Sequence, residues 1–202
     1  MMGLMDPVKP EIVSEDKQIE HLLANAFGGS PLRFRVVHNT RKYEVDVLAM
    51  PGKPEAELCC LGTIGLWRTN LQGPKTSESQ RVELVSIFEA SREGAREVLA
   101  VAAFKVMRTQ RKLSAGTVFV NCLHDWYPQA TIRHLYFVDA NLWSFPQLVP
   151  ATMGSLQIRF VEALPITESE YQYVQERGGQ ALEAKLLGAS ANLWDLKRDA
   201  CL

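Results

Sequence analysis

The sequence predicts an α+β domain in which one mixed, mainly antiparallel central sheet is flanked by helices. Three observations carry that prediction. Short runs of alternating apolar and polar residues recur from Leu32 onward, and alternation of period two is the mark of a half-buried strand. Between and around them lie segments whose apolar residues recur at steps of three and four, the period of a helix packed on one face. Finally, 47% of the 202 residues are hydrophobic, which supplies one continuous core. A chain of this length buries about 70% of its unfolded surface, so neither disulfides nor a metal are needed to hold it. No repeat, linker or shift of composition divides the chain. Residues 1–13 read as a loose lead-in and residues 14–202 as a single domain.

The first helix opens at Ser14, a good N-cap, with Glu15 and Asp16 in the electropositive first turn, and Gly28-Gly29 stop it. Ile19, Leu22, Leu23, Ala26 and Phe27 form its apolar stripe. Phe34 and Val36 then alternate with Arg33 and Arg35, and Tyr43, Val45, Val47 and Ala49 alternate with Glu44 and Asp46. The polar turn Asn39-Thr40-Arg41-Lys42 between them makes an antiparallel hairpin, closed by Pro51-Gly52-Lys53-Pro54. Leu58 to Ile64 is apolar throughout, as a strand buried on both faces must be. A polar loop from Gly73-Pro74 to Gln80 leads to another alternating run, Arg81 to Phe88.

Glu93 to Lys112 predicts the longest helix, with Val98, Val101, Ala102, Lys105 and Val106 on its inner face and Leu99 and Met107 beside it. Thr117 to Cys122, Ile132 to Val138 and Ser155 to Ala163 read as strands, the last with Leu156, Ile158, Phe160 and Glu162 on one face. Asn141 to Pro150 is an irregular, aromatic-rich crossing. Thr167 with Glu170 three residues on is a capping box, in which each side chain satisfies a backbone donor of the helix start. Gly178-Gly179 breaks that helix, Ala181 to Leu187 forms another, and Leu193 to Leu202 is an extended tail.

Charge narrows the function classes. Lys plus Arg total 22 against 23 Asp plus Glu, a formal net charge of −1, so no field gathers nucleic acid or anionic lipid. The basic cluster Arg108, Arg111 and Lys112 falls where the long helix should end and complements its dipole. No secretory signal opens the chain and no run of about 20 apolar residues could span a membrane, so a soluble, cytoplasmic protein is expected. The four cysteines, Cys59, Cys60, Cys122 and Cys201, have no framework spacing and read as free thiols of a reducing compartment.

Strong catalytic signatures are missing: the sequence contains no GxxxxGK[ST], GxGxxG, GxSxG or HExxH. The best enzyme or metal candidate is Cys122 with His124 and His134. A continuing strand would point Cys122 and His124 the same way, an adjacent one would bring up His134, and Asp125 or Asn121 could orient the group. A core cysteine beside two strand-end histidines is the simpler reading, because Cys-x-His with one distant His is not a ligand spacing. Glu44 and Asp46 could pair for acid–base work but are equally what a solvated sheet face carries. Catalytic residues, metal ligands and cofactor-binding residues are all read as none. For binding, Trp67, Trp126, Tyr127, Trp143, Phe145 and Trp194 lie in or beside loops, where they either anchor a protein contact or cover the ends of the sheet. The partner-binding expectation falls on Trp67, Arg68, Trp126, Tyr127 and Trp143, with Arg133 and Arg159 as further contacts.

A succession of short motifs resembles the Suppressor of fused family. Arg81-Val82-Glu83-Leu84 precedes the long helix, and His134-Leu135-Tyr136-Phe137 precedes Leu142-Trp143. The most specific block is Leu164-Pro165-Ile166-Thr167-Glu168-Ser169-Glu170-Tyr171, followed by Gly178 and the closing Leu193-Trp194-Asp195-Leu196-Lys197-Arg198. Together they span Val36 to Arg198 in the family's order. Bulky Leu66 and Trp67 after Thr63-Ile64-Gly65 depart from the small or polar residues expected there. The resemblance implies a non-enzymatic binder of another protein. It is nearer the bacterial single-domain members, which look like immunity proteins neutralising a toxin of a polymorphic system, than the two-domain animal proteins that clamp a transcription-factor peptide. A scaffold or adaptor without a toxin partner is the more general alternative.

Overall fold

The computed structural model describes residues 15–72, 79–141, 143, 149–150, 157–189 and 192–202. The lead-in 1–13, the Ser14 cap, residues 73–78 of the polar loop, most of the Asn141–Pro150 crossing with Phe145, and the Ser155–Leu156 start of the last strand lie outside them. Helix α1 (Glu15–Phe27) is followed by strands β1 (Leu32–Val37), β2 (Glu44–Pro51) and β3 (Leu58–Ile64). A single 3₁₀ turn, Leu66–Arg68, leads to β4 (Leu71–Gln72), β5 (Ser79–Glu89) and helix α2 (Ala95–Thr109). Then come β6 (Val118–Phe119), β7 (Ile132–Asp139), β8 (Val149–Pro150) and β9 (Gln157–Thr167), and finally helices α3 (Glu168–Arg177) and α4 (Gly179–Gly188).

Among the described residues the strands make one nine-stranded sheet whose main path runs β1-β2-β3-β5-β9-β7-β6, with β4 on β5 and β8 on β9. All pairings are antiparallel except β5 with β9, so the sheet is mixed and mainly antiparallel, as the alternation predicts. The parallel pair sits at the centre because the chain leaves β5 through α2 and returns to β9 only after β6, β7 and β8. Such a crossover needs more chain than a hairpin.

Helices cover both faces. On one, α2 packs Val98, Leu99, Ala102, Ala103 and Val106 over Val47, Leu61, Val82, Leu84, Phe137 and Val161. On the other, α1 buries Ile19, Leu23 and Phe27 against Leu48, Cys60, Ile64, Val85 and Phe160. Complete burial of side chains of this size contributes about 1.5–3 kcal/mol each. Gly62 makes that approach possible: a Cβ there would meet Leu23 Cδ2 at 2.7 Å. The α3–α4 pair covers the other half of this face, where Val174, Leu182 and Leu186 close over Tyr136 and Ile166.

Three expectations are corrected. The long helix is shorter than Glu93 to Lys112: it runs from Ala95 to Thr109, and its C-cap Gln110 turns into the left-handed region at φ 51°. Only Arg108 therefore complements its dipole, while Arg111 bridges to Gln72 beyond the helix. Val101 is exposed because the stripe that faces the sheet is Val98, Ala102 and Val106 with Ala95, Leu99 and Ala103. The strand expected to reach Cys122 stops at Phe119, and a run of turns from Val120, with Asn121 at φ 56°, follows it. The capping box forms as read: Glu170 N donates to Thr167 Oγ1 at 3.2 Å and Thr167 N donates to Glu170 Oε2 at 2.8 Å.

Candidate protein-binding surface

The surface is organised from beneath by a carboxylate. Glu83 lies on β5 with no exposed area, under the 3₁₀ turn. Its Oε1 accepts from Gly65 N at 2.7 Å and Trp67 N at 3.1 Å, and its Oε2 accepts from Thr63 Oγ1 at 2.5 Å. Burial pushes its pKa up to about 7 while these three donors pull the other way. The backbone of the turn is thus tied to the sheet through a side chain, which satisfies donors that would otherwise be buried without a partner. Leu66 drops into the α2-side core, and Arg81 Nη1 donates to the carbonyls of Trp67 at 3.2 Å and Arg68 at 2.7 Å.

Held this way, Trp67 and Arg68 meet the start of α1. Trp67 Nε1 donates to Asp16 Oδ1 at 2.9 Å, and Arg68 Nη2 pairs with the other oxygen of the same carboxylate. Beside them opens a cleft of about 380 Å³, lined among others by Asp16, Arg33, Arg35, Lys42, Asp46 and Arg68. Asp46, on β2, takes Arg33 Nη2 at 2.5 Å, Arg33 Nε at 2.9 Å and Arg35 Nε at 3.1 Å. Burial raises its pKa, but the two guanidiniums outweigh burial and hold the carboxyl below its ordinary value. Arg33 also reaches Glu20 of α1 at 2.9 Å. Asp46 is therefore the anchor of an arginine pair and lies beneath it, while Glu44, exposed on the same strand, also lines the cleft.

The other expected contacts are scattered. Trp126 is 42% exposed and leans on Gly94, while Tyr127 beside it donates from its hydroxyl to Glu93 O at 2.9 Å. Trp143 is only 8% exposed and packs on Phe27 with ring centroids 5.1 Å apart. Trp194 is half-buried against the same cluster. Arg159 pairs with Asp139, and Arg133 borders a shallow depression beside Thr131, Glu168 and Arg198. The structure thus brings together Trp67 and Arg68 but leaves Trp126 and Tyr127 in a separate loop and Trp143 inside.

Cys122, His124 and His134 do not converge as an orderly strand pair would have made them. Cys122 Sγ donates to Phe119 O at 3.1 Å, and burial pushes its thiol up to about 12, the opposite of what a nucleophile needs. His134 is fully buried; its Nδ1 accepts from Asn121 N at 3.0 Å, which leaves the proton on Nε2 for Glu168 Oε2 at 3.0 Å. Both ring nitrogens serve the structure, and burial, outweighing Glu168, lowers the pKa of the imidazole. Among the described residues no three His, Cys, Asp or Glu side chains are placed to share a metal ion.

Two further buried polar features tie the fold together. Arg198 in the tail is almost wholly buried and pairs with Glu170 through Nη1 at 2.6 Å and Nη2 at 2.9 Å. Cys201 N donates to the same carboxylate at 2.9 Å, so one glutamate caps α3 and locks down the C-terminal tail. Glu162 on β9 is buried in the α1-side layer, and burial, partly offset by a hydrogen bond from Trp143, pushes it up to about 7. In the sequence Glu170 reads only as a helix cap, with nothing local to show its second partner, whereas Glu162 already falls on the apolar face of its strand.

Sheet, layers and buried polar ties define an α+β domain whose ordered ionisable groups hold loops and a tail in place. Comparison with known proteins agrees: the family model described as Suppressor of fused protein matches residues 41–199. The chain belongs to the Suppressor of fused family. It is 23% identical over 189 residues to the immunity protein YqcF of Bacillus subtilis (strain 168), covering 94% of this chain and 98% of that protein. Its fold matches a crystal structure of a Suppressor of fused homolog from Neisseria gonorrhoeae FA 1090 with a TM-score of 0.65 at 17% identity, covering 93% and 96% of the two chains. The crystal structure of the Sufu–Fu complex gives 0.65 at 11% identity, covering 93% and 92%. Drosophila Suppressor of Fused gives 0.62 at 9% identity, covering 91% of this chain but 50% of that one.

Proposed function

We propose that this chain is an immunity protein: it binds one cognate protein toxin and masks it, without catalysing a reaction. The observation that carries the reading is the likeness to a protein named as an immunity protein along 94% of this chain and 98% of that one. A similar fold in complex with Fu supports protein binding as the use of this architecture. The site chemistry supports it too. Cys122 is held as an inert thiol, His134 is spent on two structural hydrogen bonds, and the carboxylates of Asp16 and Asp46 in the cleft are paired with arginines. A bacterial cytoplasm is the proposed location; among the described residues no helix is long and apolar enough to cross a membrane.

The test is co-expression of the chain with toxins encoded beside its gene, scored by growth and by co-purification. The expected result is rescue of growth by one toxin's partner and a stoichiometric complex. A chain that rescues no toxin and captures no polypeptide in its native cell overturns the proposal. Rescue of growth without any complex would instead point to chemistry, and substitution of Cys122, His124 and His134 by Ala would then locate it.

A further inference from the structure

The sheet has two very unequal ends. β6 is an edge of two residues, too short to template another strand, whereas β1 at the opposite end is an edge of six. Among the described residues β1 pairs with β2 alone, so its outer row of N–H and C=O groups has no ladder partner. Natural edges are usually blunted by Pro, by inward charges or by bulges. The strand Leu-Arg-Phe-Arg-Val-Val carries neither Pro nor Gly, and its register with β2 is unbroken from Leu32 to Val37. Its two charges guard it poorly, because Arg33 and Arg35 are both drawn across onto Asp46.

Each face of this edge has its own concavity. On the α1 face lie Arg33 and Arg35 and the 380 Å³ cleft that also holds Lys42 and Arg68. Arg35 is 65% exposed there, and only its Nε is spent on Asp46, so its terminal nitrogens point outward. Asp46 itself is 11% exposed, so opposite Arg35 a ligand meets the guanidinium before the carboxylate, while the exposed Glu44 lines the cleft opposite Val37 at the end of the strand. On the α2 face a second cavity of about 240 Å³ is lined by Leu32, Phe34, Ala49, Leu61 and the rim arginines 92 and 96, with Glu89 and Glu93 at its margin. Leu32 is 57% exposed, and the Arg96 guanidinium covers Phe34 at 4.0 Å. A strand added to an edge sends alternate side chains to opposite faces.

We infer that β1 receives an extended segment of the partner protein as an added strand, with acidic side chains alternating toward Arg33 and Arg35 and apolar ones toward Leu32 and Phe34. Main-chain hydrogen bonds supply the attachment, and the unlike faces set register and direction. This rests on the protein-binding reading above but assigns it a surface and a ligand pattern.

The test uses the full chain and an eight-residue peptide alternating Glu with Val, in three forms: unmodified, N-methylated at alternate residues, and with Lys in place of Glu. Binding is read by titration calorimetry and by hydrogen exchange of those amides among residues 32–37 that face away from β2. The unmodified peptide is expected to bind and to protect those amides, while N-methylation abolishes both effects. Arg35→Glu, which leaves Arg33 on Asp46, should weaken the Glu peptide about tenfold and favour the Lys form, the size expected for one charge-assisted contact. Equal binding of the N-methylated peptide, no binding of any form, or protection of those outward amides already in the free monomer would overturn the assignment. Concentration-dependent dimerisation through β1 would overturn it in favour of a second copy. If Arg35→Glu and Leu32→Asp leave toxin capture intact, the binding reading stands and this surface fails; if the wild-type chain captures nothing, the binding reading itself fails.

Discussion

Replacing Glu170 by Ala should be among the most costly single changes in this protein. The carboxylate accepts two bonds from Arg198, one from Cys201 N and one from Thr167 N, all between 2.6 and 2.9 Å. Removing it leaves the guanidinium buried with the carbonyls of Pro165 and Asp199 and the Cys201 sulfur, none of them a countercharge. Breaking a buried pair from one side costs about 3–5 kcal/mol, because the remaining charge is stranded. Loss of the capping box adds about 1 kcal/mol. A domain holds about 5–15 kcal/mol in all, so a marginal variant would be partly unfolded at 37 °C. Urea unfolding followed by circular dichroism measures the loss, and the double variant Glu170→Leu/Arg198→Met should recover most of it by removing both charges at once. The pair also has a pH signature. Burial raises the Glu170 pKa, but Arg198, Cys201 N and Thr167 N together hold it below the ordinary value. Its contribution is then complete above the unfolded pKa of about 4.3 and is lost as pH falls through the lower folded value. A loss below about 1 kcal/mol for Glu170→Ala, or additivity in the double variant, would refute the reasoning.

Glu83→Gln keeps an acceptor for Gly65 N and Trp67 N but removes an acid whose folded pKa is pushed up to about 7. For a raised acid, stability is greatest below the unfolded pKa and declines as pH rises through the folded one. The wild-type Tm should therefore fall between about pH 4.5 and 7, with Glu162 contributing in the same direction, and Glu83→Gln should flatten part of that slope. Gly94→Ala combines a positive φ of 84° with a Cβ placed 2.7 Å from Trp126 Cε3. A cost of about 1–2 kcal/mol and a shifted Trp fluorescence maximum are expected, and an unchanged spectrum would show that Trp126 does not rest there. Cys60 and Cys122, whose thiols burial pushes up to about 12, should react with a disulfide reagent at pH 8 only on unfolding. Rapid labelling of native Cys122 would reopen its role as a nucleophile.

The sequence by itself determined the longer elements and their order, because each is dictated locally, but not the two-residue strands β4 and β8, the 3₁₀ turn or the ends of α2 and β6. Ile19, Leu23 and Phe27 at helical spacing, the alternation of β1 and β2, the unbroken apolar run of β3 and the Thr167–Glu170 box all act over a few residues. The same locality made the family legible, since its motifs are largely strand cores and helix starts. Tertiary structure alone decided what the polar residues do. Period-two alternation places Glu83 on a face of β5 but cannot say that the 3₁₀ turn will cover that face. Glu170 reads as a helix cap, and its second partner lies 28 residues away in the tail. Trp143 looks like a loop anchor until Phe27 of α1 is packed against it. Cys122 would have aligned with His124 had β6 continued, but Asn121 turned the chain first. A side chain's local period sets the direction in which it points; whether that direction holds water, core or another chain is set by residues distant in sequence, whose placement is a property of the packed whole.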